Sequence, residues 1–243
     1  MAIVICVLLA VNGKVLVGRG QERRDNQKAA TLGQRLVERS QKLQGLQDSS
    51  NEYRDAIGKA LDAVDSVSNS LRAVGGDQIA NAQATFPSVP PLFDEARKAN
   101  VRLPKVTQQI IDETRTGRVE TRLLLELVES SQDTRYLKAF DGALALLVST
   151  HEAYSKMNAK IAETFTLYEA LFATEDKFLT EIAEGAHKNR KEASKIFRDR
   201  TLAEVKALAV ARAEIDSLDN TASKIAGEAF EAFERAARLR PKQ

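Results

Sequence analysis

A chain of 243 residues with 43% apolar side chains is long and apolar enough to bury a core, which excludes a disordered tail. Thirty-six basic against thirty-four acidic residues leave a net charge of only +2, which excludes a molecule-wide electrostatic surface for nucleic acid. The single cysteine excludes an intramolecular disulfide and a cysteine zinc cluster, and the absence of Trp, the 5% aromatic content and the five prolines point to long helices.

Residues 2–11 (AIVICVLLAV) are uninterrupted apolar; Asn12, Gly13 and Lys14 come next, and Val15, Leu16 and Val17 resume the run. Three readings compete. As a membrane helix, residues 2–17 span roughly 24 Å, short of the roughly 30 Å hydrocarbon core, and Lys14 has to reach an interface. As a β-hairpin, the run turns at Asn12-Gly13, the strongest short-range hairpin dipeptide, and needs helices or other chains to cover it. As a secretory signal, it has a suitable apolar length and Ala10 before a cut, but no Lys or Arg precedes it. In the membrane reading Ile3, Val4, Val7, Leu8 and Leu9 insert. Arg19, Arg23, Arg24 and Lys28 lie after the run, so the positive-inside rule leaves the helical body in the cytoplasm. The hairpin reading buries the same side chains in a core or interface of a soluble chain, and the signal reading makes the chain a secreted one.

Residues 19–30 are polar, a connector or the exposed first turns of a long helix. Beyond them apolar residues return at alternating steps of four and three: Leu32, Leu36, Arg39, Leu43, Leu46, Ser50, Tyr53, Ile57, Ala60, Val64, Val67, Leu71 and Val74, with Arg39 and Ser50 the only polar positions. This is a coiled-coil seam, and the helix that carries it must be covered by later helices or by another copy. Gly33, Gly45 and Gly58 lie off the seam, and Gly75-Gly76 supplies a left-handed stop. Residues 77–91, with Phe86-Pro87 and Pro90-Pro91, are predicted to reverse the chain and to be too rich in proline for continuous helix. A second helix is predicted from about Leu92, kinked or restarted at Pro104 and running toward Thr116-Gly117, with a further helical stretch over residues 118–129. Asp133 or Thr134 then caps the next helix.

That helix repeats the opening pattern at Phe140, Leu144, Leu147, His151, Tyr154, Asn158, Ile161, Phe165, Tyr168, Phe172, Glu175, Leu179 and Ile182, which makes it the natural partner of the first. Its bulky residues suit the Leu, Val and Ala of the first seam. Residues 185–191 (GAHKNRK) are the expected reversal. A last helical tract, with Ile196, Val205, Leu208, Ile215, Ala222, Ala229 and Phe233, breaks at Asp219-Asn220 or runs on to Leu239. The expected fold is all-α: an elongated antiparallel bundle of three to four long helices with coiled-coil seams, plus the hydrophobic N-terminal segment as membrane helix or β-hairpin. Its divisions are residues 1–18 (apolar segment), 19–30 (connector) and 31–240 (helical bundle).

No catalytic constellation is legible. The only histidines are His151 and His187; Glu184 and His187 form one Glu-x-x-His unit, but a di-iron bundle site needs two, and Val148 stands three residues before His151. There is no Gly-x-Ser-x-Gly, no phosphate loop, and Cys6 lies in an apolar run where a thiolate is disfavoured. No metal, cofactor or small-molecule substrate is expected, and the chain reads as a non-enzyme. The most informative charges are Lys188, Lys191, Lys195 and Arg198, whose spacing of three, four and three places four cations on one helix face. They suit anionic lipid or an acidic partner; with no interleaved aromatic, single-stranded nucleic acid is disfavoured. The cations Arg235, Arg238, Arg240 and Lys242 match the negative end of the last helix.

These features predict a membrane-associated scaffold or assembly protein, homo-oligomeric or bound to a helical partner. Its layout of long helices with a basic stretch near a turn resembles, in architecture alone and without a diagnostic motif, that of membrane-shaping BAR modules. Two alternatives stand beside it: a soluble helical sensor or adaptor that binds a ligand or partner, and a subunit of a pore-forming or filamentous assembly with a concealed hydrophobic hairpin.

Overall fold

The first seam forms a single helix, α1 (Gln21–Arg72), in a computed structural model that describes residues 21–73, 77–128, 134–187 and 189–239. The apolar segment with Ile3, Val4, Val7, Leu8 and Leu9 lies outside the described residues, as do Val74, Gly75, Gly76 and Lys188. α1 takes in residues 21–30, the stretch read as a connector or as exposed first turns. Every described position of the seam is buried or half-buried, Arg39 and Ser50 included.

The proline-bearing stretch is more helical than expected. α2 (Gln78–Thr85) passes into a 3-10 turn (Phe86–Ser88) and then into α3 (Val89–Val128). The prolines permit this because each sits where a backbone N–H has no partner to lose. Pro87 is in the first positions of the 3-10 turn, and Pro90 and Pro91 are in the first turn of α3. Pro104 neither ends nor restarts α3, which runs through it; buried Leu103 and Val106 on either side anchor the helix while Pro104 itself is exposed. Gly117 does not end it either.

The second seam forms α4 (Arg135–Ala183), again with no exposed seam position. It stops at Gly185, whose φ of 78° lets the Gly185 N–H donate to the Ile182 carbonyl and the Ala186 N–H to the Glu181 carbonyl. This paired arrangement is a Schellman stop, so the reversal expected in residues 185–191 has a specific origin. Next come α5 (Arg190–Arg200) and α6 (Leu202–Arg238), the latter unbroken through Asp219 and Asn220. Neither residue caps a helix there, and buried Ala222 and Ala229 keep the same face inward.

The described residues divide into two compact units, each drawing on α1, α3, α4 and α6. Unit 1 gathers residues 21–49, 106–128, 134–155 and 219–239. Its core is built on Leu32, Leu36, Leu124, Tyr136, Phe140, Leu144 and Phe233, with the Phe140 and Phe233 rings edge to face at 5.4 Å. Arg39 meets Glu120 while Lys42, later in α1, meets Glu113 earlier in α3, and Arg118 binds Asp141 while Arg115 binds Glu152, which sets α3 against α1 and α4 in opposite chain directions.

Unit 2 gathers residues 50–73, 77–105, 156–187 and 189–218. Ala60, Val64 and Val67 of α1 share its core with Phe93 of α3, Phe165, Tyr168 and Phe178 of α4, and Phe197 of α5. Phe93 of α3 stacks on Phe165 and Phe172 of α4 at 5.0 and 4.9 Å between ring centroids. Arg54 with Asn158 and Asp65 with Tyr168 set α1 and α4 in the same chain direction in this unit, while Lys160 with Glu214 and Tyr168 with Arg212 set α6 against α4, within the all-α bundle expected from the seams.

Candidate functional site

α5 carries the basic face. Asn189 caps it, its side-chain oxygen accepting from the Glu192 N–H at 2.8 Å while its amide reaches the Glu192 carboxylate, a reciprocal capping arrangement. Buried Ala193, Ser194 and Phe197 turn one side of α5 inward. The Ser194 hydroxyl donates to the Ala73 carbonyl, which satisfies an acceptor just past the end of α1, and Phe197 packs on Phe178 with 5.0 Å between ring centroids. With that side fixed, Lys191 and Lys195 are exposed and form no ion pair among the described residues. Arg198 is half-buried and donates from Nε to the Ser194 carbonyl. The structure thus brings three of the four expected cations together. Exposed Glu192 and Asp199 are the acidic residues of this helix, and Arg200 is drawn away to Glu181 at 2.7 Å.

His187 belongs to that same ion-paired corner and not to a Glu-x-x-His site. Its Nε2 lies 3.2 Å from the Glu181 carboxylate, not paired with Glu184, and its ring packs on Phe178 at 4.9 Å. Arg200, more than His187, holds the Glu181 carboxyl below its ordinary value of 4.5. Among the described residues no group of three or more His, Cys, Asp and Glu side chains could hold a metal ion. His151 is a buried seam residue of unit 1, where it lines a cavity of about 60 Å³ with Leu43, Ile110, Leu147 and Phe233.

A wider groove of about 680 Å³ opens in unit 1 between the start of α1 and the end of α3. Leu32, Leu123 and Leu127 supply its apolar lining, and Lys28, Arg35 and Glu126 its charged edge. Sequence reasoning passed over it because a groove is made by two helices far apart in the chain. Leu123 and Leu127, four residues apart, were the available signal.

Two charged clusters also escaped notice as clusters, since only Arg39 of the first and Tyr168 of the second lie in the seams and their partners come from off-seam positions. In unit 1, Arg39 donates to Glu120 at 3.0 Å through both Nε and Nη2 and to Glu113, which Lys42 also engages. The Lys42 hydrogen bond, with Arg39 adding, keeps the Glu113 carboxyl below its ordinary value, and the Glu120 hydrogen bond pushes the Arg39 guanidinium up. In unit 2, the Tyr168 hydroxyl donates to Asp65 at 3.0 Å while Arg212 donates to both. Burial outweighs Arg212 there and raises the Asp65 carboxyl.

No helix among the described residues is long and apolar enough to cross a membrane. No family model, no curated protein and no solved structure matches the chain.

Proposed function

We propose that the chain is a non-enzymatic, membrane-associated scaffold that acts by self-association and lipid contact. In this reading residues 1–18 provide the apolar contact through Ile3, Val4, Val7, Leu8 and Leu9, and Lys188 together with the α5 face of Lys191, Lys195 and Arg198 provides the electrostatic one. The observation that carries it is the state of Lys191 and Lys195: both are exposed on one face without an ion pair among the described residues, whereas Arg39, Arg97, Arg118, Lys160 and Arg212 are ion-paired within the bundle. A cation near an anionic bilayer contributes about 1 kcal/mol, so the four together give a contact that salt weakens. Flotation of the full chain with vesicles containing phosphatidylserine tests it. Lys191→Glu with Lys195→Glu should reduce the bound fraction at low salt, and equal binding by this variant and the wild type would remove α5 from the lipid contact.

A second reading, a soluble adaptor that receives a partner helix, is favoured by the groove of unit 1. Leu123, 46% exposed, and Leu127 present a short apolar row of the kind an amphipathic helix covers. Leu123→Asp should abolish partner binding in that case and leave vesicle binding unchanged.

A further inference from the structure

Glu175 occupies a seam position of α4 and is fully buried in unit 2, and neither of its carboxyl oxygens has a hydrogen-bond partner of good geometry among the described residues. An ionised carboxylate in that position lacks both water and a counter-ion, a state costly enough that the group gives up its charge instead. The charged and titratable groups around it explain why no counter-ion arrives. On its own helix Tyr168 stands two turns earlier with its hydroxyl committed to Asp65. From α1 come Asp65, whose negative charge opposes ionisation, and the Ser68 hydroxyl, which favours it weakly. From α6 comes Arg212, the one cation of the cluster, already bound to Asp65 and to Tyr168. No charged group of α2, α3 or α5 is among the influences on Glu175.

We propose that Glu175 is carried as the uncharged acid in the folded chain and serves as a proton-dependent latch on unit 2: losing the proton leaves a bare charge in that core and opens it. Burial first, and Asp65 second, push the carboxyl from its ordinary 4.5 up to about 9, against a smaller opposing pull from Ser68. The folded chain therefore holds this proton more tightly than the unfolded chain does. The stability the group confers is complete below pH 4.5 and is lost progressively as pH rises toward about 9. Across that window the unfolding constant should rise by up to about tenfold per pH unit from this group.

The test uses the full chain. In the infrared spectrum near neutral pH, the wild type should show the carbonyl stretch of a buried protonated carboxylic acid, and Glu175→Gln should lack it. Absence of that band from the wild type overturns the proposal, whether or not the variant folds. Urea midpoints followed from about pH 5 to about pH 9 give the second readout. The wild-type midpoint should fall steadily, and that of Glu175→Gln should fall less. Equal slopes would show that the pH dependence belongs to other groups.

Discussion

A methyl group on Gly117 would meet the Arg39 side chain at 3.1 Å, so the glycine makes room for an arginine stem that two carboxylates hold in place. This is why a residue that looks like a helix stop in the sequence lies inside α3. Gly117→Ala forfeits the space but gains helix propensity worth up to about 1 kcal/mol, so its effect should depend on Arg39. A double-mutant cycle of thermal unfolding with Arg39→Ala should show the gain only when Arg39 is absent. Arg39 itself pairs with a Glu120 side chain only 10% exposed. Arg39→Leu should therefore cost about 3 kcal/mol in urea unfolding, and Arg39→Leu with Glu113→Leu and Glu120→Leu should recover most of it, because an unpartnered charge costs more than an absent one. At Gly185, φ of 78° favours glycine, and Gly185→Ala should destabilise by about 1 kcal/mol in the same measurement.

At the scale of the helices, the two seams were readable because a repeat of four and three is set by helix geometry alone, and every described seam position is at least half-buried. The polar entries Arg39, Asn158 and Glu175 were readable in the seams, but the partners of Arg39 and Asn158 were not. Arg39 meets Glu120 from 81 residues away, and Arg54 meets Asn158 from 104. Prolines misled in one direction: Pro87, Pro90 and Pro91 suggested a loop, yet each falls at the start of a helical turn, where proline is tolerated. The division of the last tract into α5 and α6 at Thr201 had no clear signal, since the buried Thr201 hydroxyl donates back to the Phe197 carbonyl and Arg72 then donates to that same hydroxyl. Of the expected basic face, the helical spacing was enough to place Lys191, Lys195 and Arg198 together, because all three belong to α5.

For the whole molecule, opposing carboxyl groups shape the response to pH. Glu113 and Glu181 are held below their ordinary 4.5 by cations, so their contributions are present above that value and are lost as pH falls below it. Glu175, and Asp65 in the same direction, act the opposite way and weaken the fold as pH rises above their ordinary values. Stability followed by urea midpoint should accordingly peak at about pH 5 and decline on both sides, and Glu175→Leu should lift the alkaline side by about 3 kcal/mol near neutral pH. A curve that rises steadily from acid to neutral pH would show that the buried acid does not dominate.

The functional account turns on whether the chain meets lipid through residues 1–18. The most direct measurement is co-sedimentation of the full chain, beside a chain that begins at Gly20, with neutral and with anionic vesicles at low and high salt. The account predicts that the full chain pellets with both kinds of vesicle, and that the shortened chain retains only salt-sensitive binding to anionic ones through α5. A full chain that stays in the supernatant under every condition, without detergent, would contradict it and assign residues 1–18 to a protein interface.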